Sequence, residues 1–218
     1  MLKTLAGRWS GGVGWSTQST PNPESGPAEL YGVACPTAES CTAVGKQGSG
    51  LASKTLAQRW DGSSWSSSST TNPAGLSIGL EDVSCTSSNA CTAVGNHLNS
   101  SLVQTGLIER WNGSTWSPQS IALPSGSKST YLHDVSCITS SACTAVGRYG
   151  LEGGDEATLV ESWGGGEWAV QTSPSPEGYE LPRFTGVACT SPSACTAVGW
   201  ARKESEGVET SGLVARYE

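Results

Sequence analysis

Residues 85–95 read Cys-Thr-Ser-Ser-Asn-Ala-Cys-Thr-Ala-Val-Gly, a cysteine, five residues and then Cys-Thr-Ala-Val-Gly. The same phrase stands at 35–45, 137–147 and 189–199, and the four copies use all eight cysteines, two apiece. Equal pairs at one spacing read as disulfides, Cys35 with Cys41, Cys85 with Cys91, Cys137 with Cys143 and Cys189 with Cys195. A structural zinc site would converge two close pairs on one ion, and five intervening residues suit a staple across a hairpin better. Free buried thiols are the competing reading. No metal and no cofactor is expected.

Outward from the phrase, three more segments recur. Leu-x-x-Val-Ser/Ala-Cys precedes it at 30–35, 80–85 and 132–137, with Phe184 in place of leucine at 184–189. Thr/Gly-Leu-x-x-Arg-Trp follows at 55–60, 106–111 and 158–163 (Ser162 replacing arginine), and also occurs at 4–9 and 212–217, the latter ending in Tyr217. A second tryptophan opens the last segment: Trp15, Trp65, Trp116 and Trp168. Short alternating runs rich in valine and threonine predict strands, and no sustained 3.6-residue period predicts helix. Asp61-Gly62 and Asn112-Gly113 predict two-residue type I′ turns between third and fourth strands, with the flanking tryptophans packed as cross-strand pairs.

A four-stranded antiparallel meander of about fifty residues, repeated in tandem, is the pattern of β-propeller blades. The unit resembles the disulfide-bearing repeats of secreted bacterial propeller proteins of actinobacterial type, which share the Cys-Thr-Ala-Val-Gly and Trp-x-Gly-x-x-Trp phrases. That resemblance covers nearly the whole chain and implies a fold, without an activity to carry over. The expected fold is therefore all-β: one domain over 1–218, a small propeller of four blades of four antiparallel strands. Its units span about 30–68, 80–118, 132–171, and 184–217 closing with 1–18, so that N- and C-terminal strands share the closing blade. The third segment nevertheless occurs five times and the others four. An open array or a strand-exchanged oligomer is the alternative.

Composition bounds the partners and the compartment. The 218 residues include 28 glycines, nine tryptophans and one phenylalanine, and carry a net charge of −7, which argues against nucleic acid. No apolar stretch approaches a membrane span. Disulfides imply a secreted protein. Residues 1–9 show no basic segment followed by an apolar run, so no signal peptide is visible and Met1 reads as the start of a mature or excised segment.

The segments that stop agreeing lie between second and third strands, and loops on a repeated frame are where binding resides. The candidate ligand-binding residues are Arg148, Tyr149, Glu152 and Asp155, beside Glu156, and Trp200, Arg202 and Lys203, beside Glu204. Proline-rich stretches (Pro21, Pro23, Pro73, Pro124, Pro174, Pro176) read as inter-blade connectors. The Arg-Trp step of the third segment reads as an arginine stacked on a ring or paired with a carboxylate. Asp82 and Asp134 fall at equivalent first-strand positions, where Gly32 and Gly186 stand in the other units; strand-end acceptors are the preferred reading over an acid/base pair. No nucleophile elbow, zinc-protease motif or phosphate loop is present, and no catalytic residue is assigned. The expected function is a secreted non-enzymatic binding module, lectin-like, for a glycan or cell-surface polymer. The alternatives are a protein-interaction or adhesion scaffold, joined to another chain through the spare third strand, and a glycosidase or lyase.

Overall fold

The computed structural model describes residues 2–24, 26–175, 179–203 and 209–217, and is all-β with five antiparallel sheets. A hairpin comes first, β1 (Ala6–Ser10) with β2 (Gly14–Gln18). Unit one is β3 (Ala28–Thr37), β4 (Ser40–Gln47), β5 (Lys54–Trp60) and β6 (Trp65–Ser68). Unit two is β7 (Leu76–Ser87), β8 (Ala90–Leu98), β9 (Gln104–Trp111) and β10 (Trp116–Gln119). Unit three is β11 (Ser129–Thr139), β12 (Ala142–Gly150), β13 (Glu156–Trp163) and β14 (Trp168–Val170). Unit four has three strands, β15 (Glu180–Ser191), β16 (Ala194–Lys203) and β17 (Glu209–Tyr217). Pro176 and Glu204 lie outside the described residues, as does the side chain of Lys203.

All four cysteine pairs are disulfides across the first hairpin of each unit. The closing glycine of each phrase has a steric purpose. A Cβ on Gly45, Gly95, Gly147 or Gly199 would stand about 1.9–2.1 Å from the first-strand carbonyl oxygen of Glu29, Gly79, Tyr131 or Arg183. Directly after that close approach the first strand bulges, the register shifting between Leu30 and Gly32, Leu80 and Asp82, Leu132 and Asp134, and Phe184 and Gly186.

The tryptophans pair as expected, Trp60 opposite Trp65 and Trp111 opposite Trp116, with ring centroids 5.9 and 5.8 Å apart. Their turn differs from the expected two-residue type I′ form. Four residues separate each pair, and only the glycine takes a positive φ, 97° at Gly62 and 98° at Gly113. The side chain decides this: Asp61 Oδ1 accepts the amides of Ser63 and Ser64 at 2.8 Å, and Asn112 Oδ1 those of Ser114 and Thr115 at 2.9 Å. An Asx side chain that binds the backbone two residues on supports a wider loop.

The core lies between units. Val44 and Ala57 of unit one join Leu80, Val83, Ala93 and Trp116 of unit two, and Val94 and Ile108 of unit two join Leu132, Val135, Ala145 and Trp168 of unit three. First strands pack in succession, β3 on β7, β7 on β11 and β11 on β15.

Among the described residues no sheet is shared by the two chain ends. β1–β2 is one sheet, β15–β16–β17 another, and among the described residues no comparable packing joins β15 back to β3. β17 pairs along β16 from Cys195–Tyr217 to Lys203–Glu209, and neither β1 nor β2 joins that sheet. The hairpin β1–β2 sits on unit one instead. Arg8 lies 5.2 Å over the Trp60 ring, Gln18 Oε1 accepts Trp65 Nε1–H at 2.9 Å, and the Pro21 carbonyl accepts Gln58 Nε2–H at 2.6 Å.

Candidate functional site

The close approach at each glycine sets what stands beside it. One step before the recurring leucine, the first strand faces the residue just after the glycine: Glu29 opposite Lys46, Gly79 opposite Asn96, Tyr131 opposite Arg148 and Arg183 opposite Trp200. Every unit presents a different pair at one level of the same frame. The bulge then inserts Tyr31, Glu81, His133 or Thr185 next to it. Because first strands pack on one another, these variable positions come together on one side of the molecule.

In units one to three they line a concavity of about 640 Å³, with Tyr31, Lys46, Glu81, Tyr131, His133 and Arg148 among its walls. Arg148 lies over Tyr131, its guanidinium carbon 3.6 Å from the ring centroid, and pairs with Glu156. Glu156 also takes Arg183 of unit four, Nη2 to Oε2 at 3.1 Å, and Arg183 in turn lies 4.2 Å over Trp200. The chain of contacts Tyr131–Arg148–Glu156–Arg183–Trp200 therefore crosses from unit three to unit four. In unit one the same arrangement is smaller: Lys46 lies 5.5 Å over Tyr31 and 3.8 Å from Glu29, which accepts the Tyr31 hydroxyl.

The electrostatics follow from this packing. Burial, then the charges of Arg148 and Arg183, push His133 down to about 4, so the imidazole is neutral at pH 7. Its Nε2 is buried without a hydrogen-bond partner. With Lys46, Arg148 and Arg183 set against Glu29, Glu81 and Glu156, charge within the surface is balanced, and its character is aromatic and hydrogen-bonding.

Of the residues singled out from sequence, Arg148 and Trp200 belong to this network. Tyr149 packs against the core between units two and three. Glu152 and Asp155 are exposed at the turn between β12 and β13, where Glu152 pairs with Lys128 at 3.5 Å and the Asp155 carbonyl accepts the Leu151 amide at 2.7 Å. Arg202 stands opposite Glu180 in the β15–β16 ladder and does not line the concavity. Tyr131, Arg183, Tyr31, Glu29 and His133 were missed. Their signal was present: the residues flanking the recurring apolar position differ in all four copies, while that position is leucine in three copies and phenylalanine in the fourth. Asn96, at the Arg148 position, ties units together, accepting Leu132 N–H at 2.9 Å and donating to its carbonyl at 3.0 Å.

The first-strand carboxyls Asp82 and Asp134 are acceptors for the next unit. Asp82 Oδ2 takes the Val135 amide at 3.3 Å, and Asp134 takes the Val135 amide on Oδ1 at 2.9 Å and the Val187 amide on Oδ2 at 2.6 Å. Burial first, and Asp134 beside it second, push Asp82 up to about 7. Unit one carries glycine there because a Cβ on Gly32 would stand 2.7 Å from the Asp82 Cα.

No family model matches this chain, and no curated protein does either. The four disulfides fit an oxidising compartment, and no helix of the described residues is long and apolar enough to cross a membrane. Function rests on the site alone.

Proposed function

We propose that the protein is a secreted, non-enzymatic binding module whose four units are propeller blades and whose variable face holds carbohydrate of a cell surface or extracellular polymer. One observation carries this reading: the repeated frame aligns a different cross-strand pair in each unit, and two of these pairs supply rings under guanidinium groups, Tyr131 in the wall of the wide concavity and Trp200 one unit on. Rings that stack on sugar faces and fixed polar groups that bond hydroxyls are the two chemistries such a ligand needs. The Arg148–Glu156–Arg183 network keeps Tyr131 and Trp200 fixed before a ligand arrives, which lowers the entropy lost on binding. Asp82 and Asp134 support the frame in this reading, because their oxygens hold backbone amides.

A broad glycan array followed by calorimetry tests the proposal. A polysaccharide is expected to bind, with affinity reduced about tenfold or more by Tyr131→Ala. Absence of binding to any glycan at millimolar concentration removes it.

A further inference from the structure

The internal joints show what a completed unit looks like. Trp116, which opens β10, is 2% exposed, held among Val44, Ala57, Leu80, Val83 and Ala93. Trp168, which opens β14, is buried among Val94, Ile108, Leu132, Val135 and Ala145, the same positions one unit on. One unit further these positions are Val146, Val160, Phe184, Val187 and Ala197. They line a cavity of about 180 Å³ beside β17, and no fourth strand pairs with β17 among the described residues. The opposite end has the reverse arrangement. Trp15, which opens β2, is 74% exposed, and Leu5 is 73% exposed.

The polar partner of the indole is also in place. Trp65 Nε1–H donates to Gln18 at 2.9 Å and Trp116 Nε1–H to Ser68 at 3.2 Å, each the residue three beyond the preceding fourth-strand tryptophan, whereas Trp168 Nε1 is buried without a partner. Gln171 stands three beyond Trp168 and lines the cavity. Its side-chain hydrogen bonds, to Ser162 at 2.8 Å and Ala169 at 3.5 Å, both run through Nε2, which leaves Oε1 as the acceptor.

We propose that this cavity is the docking site for Trp15 of a second copy of the chain, whose β2 adds to the outer edge of β17 and completes unit four. The interface continues one already in the molecule, since the joints of units one with two and two with three are its templates. The chain's own hairpin does not fill the cavity, because it is seated on unit one through Arg8, Gln18 and Pro21. In the junction β2 leaves β1 for β17, exchanging five backbone pairs for their equivalents. What changes is burial: an indole moves from solvent into an apolar cavity, and that drives association. Arg216, in register with Thr196 as Arg59 is with Thr42, then stands where Arg8 did, over Trp60 of the second copy. The contact joins different surfaces on the two molecules, so it propagates head to tail.

Sedimentation velocity of the full chain over a concentration series tests this. The wild type is expected to associate, and Trp15→Ala to weaken association by about 100-fold or more. The monomer of that variant keeps the wild-type melting temperature, because Trp15 is exposed in it. Ala215→Phe fills the cavity and blocks association from the other side. Mixing the two variants, each monomeric alone, should give a dimer and nothing larger, since each supplies the half the other lacks. A wild type that stays monomeric at millimolar concentration overturns the proposal, as does a mixture that stays monomeric. A monomeric wild type whose melting temperature falls with Trp15→Ala points to the chain's own tryptophan in the cavity and equally overturns it.

Discussion

The joint between units two and three and the outer side of unit four are built from equivalent positions, yet they are finished differently. At the inner joint Trp168 is buried, Glu161 is fully buried with Oε2 accepting the Ala122 amide at 3.3 Å, and Asp82 reaches across to Val135. At the outer side no tryptophan is present, Ala215 takes the Glu161 position, Gly186 takes the Asp134 position, and Val214 and Tyr217 face solvent. The hairpin β1–β2 mirrors this, with Gly7 at the Glu161 position and Trp9 and Trp15 exposed. Repeats of this kind hold most of their stability in the contacts between neighbours, so the ends are weak for lack of a neighbour.

Substitutions can break that contrast. Trp116→Ala at an inner joint is expected to cost about 3–5 kcal/mol, whereas Trp15→Ala stays within about 0.5 kcal/mol below the association range, both read by urea denaturation. Equal losses would mean the ends are as well packed as the middle.

The buried carboxyls give the next largest effect. Burial raises both Glu109 and Glu161 to about 7, and unit one has the uncharged Gln58 at the same place. An acid with a folded pKa above its unfolded one binds more protons when folded. Its stabilising contribution is complete below the unfolded pKa and is lost as pH rises through about 7. Glu109→Gln with Glu161→Gln should remove a fall in stability of roughly 2–3 kcal/mol for each carboxyl between about pH 5 and about pH 8, followed by thermal unfolding across that range. An unchanged pH slope would show that these carboxyls are ionised in the folded joint.

Removing a disulfide sharpens the comparison from another side. Replacing both Cys85 and Cys91 by alanine should cost roughly 2 kcal/mol in equilibrium unfolding, and replacing Cys189 and Cys195 about the same, because both loops have a separation of six. A much smaller loss in unit four would assign the benefit to packing around the sulfurs. The smallest effect is at the arginines. Arg59 lies 4.5 Å over Trp111 and donates to the Ser88 carbonyl at 2.6 Å, so Arg59→Ala should cost about 1 kcal/mol. Arg8→Ala, at the end joint, should cost about half of that.

Strands, disulfides and tryptophan pairs were legible in the sequence because each depends on residues close together: alternation, a six-residue cysteine separation, a tryptophan on either side of a glycine turn. The turn type was misread because Asp61 and Asn112 act through their side chains, which widen the loop, and not through a left-handed backbone. Which third strand lies beside β16 was beyond local reading. β1 and β17 carry nearly the same pattern, and the choice is a competition between distant partners. Half of the site was hidden for a related reason. Arg148 and Trp200 follow an obvious landmark, whereas Tyr131 and Arg183 face them only because the ladder is held in register up to the bulge at Asp134 or Gly186.

The shortness of each cysteine loop has a consequence for oxidative folding. Eight cysteines in four nearly identical phrases allow 105 pairings, and similarity between copies offers no chemical means of choosing among them. Distance along the chain supplies the choice. A partner six residues away is met far more often than its counterpart some fifty residues on, so each staple closes within its own hairpin before a neighbouring copy can intrude. The array is thereby proofread one hairpin at a time, and further units could be inserted without raising the rate of mispairing.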